Sequence, residues 1–255
     1  MIKSFDELLE RINQLPKRHI AVAAAHDEDV LEAVCHAVQS GLVDATLVGK
    51  KEEILQIAAA KGFDLSSMEI MDAADNIEAA RKAVELVSTG KAHMLMKGIV
   101  DTANLLHAVL DKQIGLRTDH LLCHVAVMEI PGLDRLIFMT DGGMVIAPTL
   151  KQKVDMLKNA FAVARGFGIE QPKAVPLTAF EHVNPKMVAT VDAQKLHDLA
   201  LAGEFGDGMV SGPLAFDAAL IAEAAQHKGI SDPVAGKADI ILVPFIEVGN
   251  VMYKA

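Results

Sequence analysis

The stretch HIAVAAAHDEDVLEAVCHAVQSGLVDATLVG, residues 19–49, decides the fold. It opens with a short apolar run, His19 to Ala25, that reads as a parallel strand buried on both faces. Asp27 to Gln39 follows as a helix, with Val30, Val34 and Val38 on one face at i, i+4 and i+8. Ala45 to Val48 is a second apolar strand, ended by Gly49. Strand, helix and strand in succession make a βαβ unit with a right-handed crossover.

The alternation continues on either side. Ser4 can cap a helix that runs through Gln14, with Glu7 three residues on as in a capping box. Lys51 to Ala60 reads as a helix stopped by Gly62, and Met68 to Met71 as a third strand. Asn76 to Val87 is helical, ended by Gly90, and Ala92 to Met96 is a fourth strand. The spacing predicts an open, doubly wound sheet. The fourth strand leads to Lys97-Gly98-Ile99-Val100-Asp101-Thr102, where Asp101 or Thr102 caps a helix with apolar face Leu105, Leu106, Val109 and Leu110. Ligands of open α/β sheets sit outside the carboxyl ends of strands, so Lys97 and Thr102 stand where a phosphate could be held. A plain helix cap explains Thr102 about as well. Gly115-Leu116-Arg117-Thr118 follows as a loop.

The pattern changes at Leu121. Leu121 to Ile130 and Arg135 to Thr140 are apolar runs joined by Pro131-Gly132-Leu133-Asp134, a hairpin signature that makes these strands antiparallel. Asp141-Gly142-Gly143 ends the second of them. Thr149 caps a helix with Leu150, Val154, Leu157 and Phe161 at helical spacing. Alternation resumes with strand Lys173–Leu177, helix Asp192–Leu201, strand Met209–Ser211 and strand Ile240–Val243, the last ended by Pro244. The hairpin marks a boundary between two α/β lobes, residues 1–127 and 128–255. Gly212 and Pro213 break the strand after Ser211, and an Ala-rich run, Ala215 to Ala225, reads as the next helix. A hydroxyl and free backbone N–H groups at such a turn form an anion seat, unless they serve only as turn geometry.

Four turn-like loops therefore lie at strand ends: Lys97–Thr102, Asp141–Thr149, Ser211–Asp217 and Pro244–Lys254, with Arg117 near the lobe boundary. Two such lobes are expected to enclose a small-molecule cleft between them.

Composition narrows the function. The 255 residues are 51% hydrophobic, with no Trp and a single Tyr, so the apolar content suits helices and buried strands better than an aromatic interaction surface. Mean hydropathy is +0.29, yet no segment reaches the run of ~18 apolar residues that a membrane span needs. The N-terminus mixes Lys3, Asp6, Glu7 and Glu10 into an amphipathic pattern unlike a secretion signal. Two cysteines far apart, Cys35 and Cys123, fit reduced thiols in a cytoplasm. A formal net charge of −10 with no basic patch argues against nucleic acid, while a small anion remains possible beside a few Arg or Lys. The ten histidines are scattered without ligand spacing, so no metal site is expected. Cys123 lies in an apolar run and reads as core.

Taken together, several stretches resemble the phosphate acetyl/butyryl transferase family. They are Leu95-Met96-Lys97-Gly98, Gly115-Leu116-Arg117-Thr118, Val125-Ala126-Val127 with Glu129 and Pro131-Gly132, Thr140-Asp141 with Ile146-Ala147-Pro148-Thr149-Leu150, Val183-Asn184-Pro185-Lys186-Met187, Ser211-Gly212-Pro213-Leu214-Ala215-Phe216-Asp217, Ala238-Asp239-Ile240 with Val243-Pro244, and Glu247 with Gly249-Asn250 and Tyr253-Lys254. They follow the family's order over nearly the whole chain, and the butyryl branch resembles it most. The resemblance implies a two-domain fold like that of isocitrate and isopropylmalate dehydrogenases, each lobe a Rossmann-like αβα sandwich with a mostly parallel sheet. It implies a homodimer or higher oligomer and reversible acyl transfer between acyl-CoA and inorganic phosphate, with no metal or nucleotide cofactor. By the same resemblance Arg117 is the phosphate ligand, its planar fork suiting phosphate better than a Lys. Ser211 and the N–H groups near Gly212 and Pro213 become candidates for carbonyl or phosphate contacts. Lys97, Thr102, Thr118, Asp141, Asn184 and Asn250 are expected near substrate, Asn184 more as a turn former.

The sequence departs from the family at Gly142, Gly143 and Val145, where small residues and then an Asn are usual, and at Phe245, where an acid is usual. Family chains also run past the equivalent of Tyr253-Lys254 into a Ser-Arg pair and a later Asp. The alternatives are therefore the acetyl enzyme or a catalytically silent CoA- or anion-binding domain of this fold. A decarboxylating dehydrogenase on the related fold is disfavoured by the lack of an aspartate cluster for Mg²⁺.

Overall fold

The computed structural model describes the whole chain, Met1–Ala255. It divides into two compact units, one of Glu10–Asp119 and one of His120–Ala255 together with Met1–Leu9. The division falls between Asp119 and His120 rather than between residues 127 and 128. Helix α1 (Phe5–Ile12) begins in the second unit, where the backbone N–H of Ile2 donates to Phe167 O (2.9 Å) and that of Phe5 to the Glu129 carboxylate (2.8 Å).

The Glu10–Asp119 unit alternates strictly. Strand β1 (Arg18–Ala23) leads to α2 (Glu28–Gln39), β2 (Val43–Gly49) to α3 (Lys51–Lys61), β3 (Glu69–Asp72) to α4 (Asn76–Ser88), and β4 (Met94–Lys97) to α5 (Thr102–Val109). All pairings are parallel, in the order β3-β2-β1-β4. Leu31, Val34, Cys35 and Ile54 of α2 and α3 pack with Val22 and Leu47 on one face of the sheet. Ala79, Ala83, Val84, Leu105 and Ala108 of α4 and α5 pack with Ala21, Ala23 and Val48 on the other. The chain thus leaves β1 toward one face and the neighbouring β4 toward the opposite face. That divergence is a topological switch point, where the crevice for a ligand opens at the carboxyl ends of the two strands. Capping sharpens the exits: Asp27 accepts from Val30 N (3.1 Å) and Asp75 from Glu78 N (2.8 Å).

The His120–Ala255 unit opens with the expected hairpin. Strand β5 (Ala126–Glu129) pairs antiparallel with β6 (Leu136–Thr140), Val127 opposite Phe138. After α6 (Leu150–Gly166) come β7 (Lys173–Pro176), α7 (Val188–Leu201), β8 (Met209–Val210), α8 (Phe216–Leu220), α9 (Ala222–His227), β9 (Ile240–Leu242) and α10 (Ile246–Lys254). The sheet order is β5-β6-β9-β7-β8, parallel except at the hairpin. One core packs Met156, Leu157, Phe161 and Leu196 of α6 and α7 on Phe138 and Ile240. The opposite core packs α8 and α9 residues, with Val248 and Met252 of α10, on Ile137, Val175 and Ile241. Here β6 and β7 exit to one face and β9, lying between them, exits to the other. A second switch point results, centred on β9. No helix is long and apolar enough to cross a membrane.

Helix α7 begins at Val188, four residues before the expected Asp192, and three further elements differ from the sequence expectation. The strand expected from Leu121 is confined to Ala126–Glu129. The Ala215–Ala225 run is broken at Ile221, which is extended (φ −112°, ψ 115°). The carbonyls that would continue α8 are taken elsewhere: Ala218 O accepts from Gly236 N (2.7 Å), Ala219 O from Ala238 N (3.1 Å) and Leu220 O from Arg135 Nη2 (3.3 Å). The Pro244–Lys254 segment is not a loop but ends in α10. Gly249 looks like a helix breaker, yet it is the point where α10 meets the turn after β6. A Cβ there would lie 2.7 Å from Gly142 Cα and 2.9 Å from Asp141 O, so a close backbone approach explains the glycine.

Asp239, at the entry to β9, is buried and accepts from Lys173 N at 2.8 Å. Burial pushes its carboxyl above the ordinary Asp value, and the Lys173 N–H with the Lys173 and Arg135 charges only partly offsets this. Because the folded-state pKa is raised, the group's contribution is fully present below the unfolded Asp value and is lost as pH rises through the folded one. Asp239→Asn keeps an acceptor for Lys173 N and removes the charge. In urea titrations the variant is expected to gain stability over the parent at pH 7, with the gain vanishing below about pH 4. A gain of equal size at both pH values would show that charge burial is not its cause.

Candidate active site

The carboxyl-end rim of the His120–Ala255 unit is built on Asp141. It ends β6 after a cis Thr140–Asp141 peptide bond and is 1% exposed. One carboxylate oxygen accepts from His124 N (2.9 Å), and the other from Gly143 N (2.7 Å) and Met144 N (2.8 Å). Both oxygens are thus committed to backbone, and Asp141 shapes the turn from beneath instead of presenting its carboxylate to a ligand. Asn250 Nδ2 donates to Gly142 O (3.2 Å), and Ile246 N to Ile146 O (3.0 Å). The Tyr253 ring meets the His124 ring edge-on at 5.9 Å. Asp141, Gly142 and Asn250 are therefore brought together, as a joint between the β6–α6 loop and α10.

Beside this joint lies a pair that the sequence reading did not single out. Lys153, 3% exposed on α6, donates to the Asp192 carboxylate on α7 at 2.8 Å. Its Nζ also stands 5.8 Å from the centroid of the Phe245 ring, in the residue preceding α10. The signal was present: Lys153 falls on the apolar stripe of Leu150, Val154 and Leu157, where a lysine needs a partner. Pro176, Leu177, Ala193, Leu196, Val243 and Pro244 complete the walls of a cavity of about 10 Å³, room for one water molecule.

Ser211 is fully buried, and its hydroxyl donates to Gly212 O at 2.8 Å. Gly212 N points at the Asp232 carboxylate (3.3 Å), which also accepts from Val234 N (2.8 Å). The expected anion seat is thus filled by a carboxylate of the chain itself, and Pro213 is buried behind it. Asn184 is a turn former: its side-chain oxygen accepts from Lys186 N (3.0 Å), and its backbone is clamped by Thr190 Oγ1 (2.9 and 3.0 Å). Cys123 is half-buried beside the Asn159 amide (3.1 Å). Burial pushes its thiol above the ordinary value, the opposite of what a nucleophile needs.

In the Glu10–Asp119 unit, Lys97 and Thr102 flank the loop at the β1/β4 switch point. Gly98 N donates to Ala23 O (2.8 Å) and Ile99 N to Ala24 O (2.9 Å), which lays the loop against the end of β1. Asn76 Nδ2 fixes the same loop through Ile99 O (2.8 Å). The exposed Lys97 reaches back to Gly98 O at 3.2 Å. Asp101, not Thr102, is the N-cap residue of α5, and it makes no side-chain capping bond. Arg117 and Thr118 are exposed beyond α5. The turn before them is tight: Leu116 N donates to Val109 O (2.7 Å), and a Cβ on Gly115 would lie 2.3 Å from Asp111 O.

Two switch-point crevices on largely parallel sheets define the class: an α/β protein of two compact units, each built on a mostly parallel sheet. Among solved structures, a branched-chain phosphotransacylase from Enterococcus faecalis V583 matches with a TM-score of 0.82 and 33% identity, over 93% of this chain and 83% of that one. A 4-hydroxythreonine-4-phosphate dehydrogenase from Burkholderia phymatum, 14% identical, shares the fold alone, with a TM-score of 0.54 over 94% of this chain and 84% of that one.

The family model described as Phosphate acetyl/butaryl transferase matches residues 4–82 and 75–255, and the chain belongs to that family. It is 50% identical over 254 residues to the Phosphate butyryltransferase of Clostridium acetobutylicum, covering 100% of this chain and 84% of the relative. The Phosphate acetyltransferase of Thermotoga maritima is 42% identical over 250 residues, covering 97% and 85%.

Proposed function

We propose that the chain is a phosphate butyryltransferase, moving a short acyl group reversibly between acyl-CoA and inorganic phosphate to give acyl phosphate and free CoA. The observation that carries the reading is 50% identity, over 254 residues, to a relative of that name. In this direction phosphate attacks the thioester carbonyl, the C–S bond breaks, and CoA leaves as its thiolate or thiol. Holding both substrates in register supplies much of the rate. Arg117 receives the phosphate through its guanidinium fork. Lys97 adds a positive charge at the β1/β4 crevice, with Thr102 at the start of α5 and Thr118 in the segment beyond it as further polar groups. Asp141, Asn184 and Asn250 enter through the loops they shape, and Ser211, Gly212 and Pro213 through the backbone they fix. No metal or nucleotide cofactor takes part, and the working form is a cytoplasmic homodimer.

The test is thiol release from butyryl-CoA and acetyl-CoA, with and without phosphate, together with detection of the acyl phosphate. Phosphate-dependent release that favours butyryl-CoA is expected. A preference for acetyl-CoA makes it the acetyl enzyme. Release indifferent to phosphate is thioester hydrolysis and overturns the proposal, and no release at all overturns it in favour of a silent binding domain.

A further inference from the structure

Lys153–Asp192 is a buried ion pair, with side chains 3% and 12% exposed. The pair lies where three helices begin. Lys153 is on α6 just after the Thr149–Gln152 capping box, Asp192 is in the second turn of α7, and Phe245 is the residue before α10. These helices leave β6, β7 and β9, the three adjacent strands whose carboxyl ends form the second switch point. Stability does not account for such a pair. Desolvating two charges costs about as much as their attraction returns, and apolar replacements of similar volume are often neutral or better. What the pair does supply is fixed geometry. The ammonium is 3% exposed, among Leu177, Leu196, Leu242 and Val243, so bulk solvent competes little for its partners. It has one carboxylate 2.8 Å away and one ring face 5.8 Å away.

We propose that Lys153 and Asp192 are positioning residues for acyl transfer, a role that rests on the function proposed above. Lys153 holds Phe245, and with it the start of α10. Ile246 N passes that constraint to Ile146 O in the β6–α6 loop (3.0 Å), and Asn250 passes it to Gly142 O (3.2 Å). Neither side chain of the pair touches substrate. Together they set the loops that do.

The experiment compares Lys153→Met, Asp192→Leu and the double variant in the full chain. Melting temperature, steady-state kinetics with butyryl-CoA and phosphate, and amide hydrogen exchange of residues 141–149 and 245–254 are read in each. Each single variant strands a buried charge and is expected to lose both melting temperature and activity. The double variant is expected to regain the melting temperature while kcat/KM stays at least about tenfold down and the two segments exchange faster. A double variant with parental kinetics and parental exchange overturns the proposal. If the double variant does not fold, Lys153→Arg and Asp192→Glu keep the charges while moving them. Faster exchange in the two segments at a parental melting temperature is expected there, and unchanged exchange overturns the proposal. Exchange needs no turnover, so an inactive parent sinks the proposed function and leaves the positioning claim to be decided by exchange alone.

Discussion

Gly98→Ala is expected to destabilise the Glu10–Asp119 unit by about 3 kcal/mol, the upper end of what overpacking usually costs. A Cβ at this position would lie 2.2 Å from Ala24 O, 2.6 Å from Ala23 O and 2.8 Å from Ala24 C. All three are backbone atoms at the end of β1, so no side chain can swing aside. Relief requires the β4–α5 loop to lift from β1, which breaks the bonds from Gly98 N to Ala23 O and from Ile99 N to Ala24 O. Each is worth about 1 kcal/mol, and both lie at the crevice where Lys97 is mounted. Gly166→Ala is the control: it ends α6, has no positive φ, and an added Cβ meets nothing within 4 Å. That change should be neutral or stabilise by up to about 1 kcal/mol. Urea unfolding, with hydrogen exchange of the β1 and β4 amides assigning the loss to this unit, reads both. A Gly98→Ala protein within about 0.5 kcal/mol of the parent would mean that the close approach is not rigid.

Arg117→Ala is expected to raise the KM for phosphate by about 10- to 100-fold, the loss of a charge-assisted hydrogen bond worth about 1.5–3 kcal/mol. Arg117→Lys should recover only part, because an ammonium cannot offer the planar fork. Folding should be little affected, since the side chain is exposed. The steric demand at Gly115 and the 2.7 Å bond from Leu116 N to Val109 O fix the backbone that carries it. Initial rates at varied phosphate and saturating butyryl-CoA decide the matter. An unchanged phosphate KM in the alanine variant removes Arg117 from the phosphate site.

Much of the fold was legible because its signals are local. Apolar runs as short as Ala45–Val48, and caps such as Asp27 and Thr149, announce strands and helices within a few residues. Where local signals misled, a distant segment had intervened. The Ala-rich run after Pro213 is sound helix by composition, but residues 236–238 and Arg135 take its carbonyls and split it at Ile221. Pro244–Lys254 reads as a turn-like loop, but most of it is α10, whose Gly249 and Asn250 lie against the turn at Gly142.

The site divided along the same line. Residue types and their order pointed to the family and to the loops, and the loops after β4, β6 and β8 do stand at strand ends. What each side chain does within them was not written locally. Ser211 and Gly212 looked like an anion seat until Asp232 and the Gly212 carbonyl proved to be their partners. Asp141 looked like a ligand contact, yet it spends both oxygens on three backbone N–H groups. Lys153 and Asp192 are 39 residues apart in sequence and pair only after α6 and α7 have been laid on the same face of the sheet.

By itself, then, the sequence determined the alternation of elements, the hairpin at Pro131-Gly132, the parallel sheets and the family, because periodicity and turn chemistry act over a few residues and family motifs are read in order. Only the tertiary structure decided which polar atoms remain available to a ligand and which are consumed within the fold. A hydrogen bond's partner is chosen by packing in three dimensions, and nothing in the neighbouring residues names it.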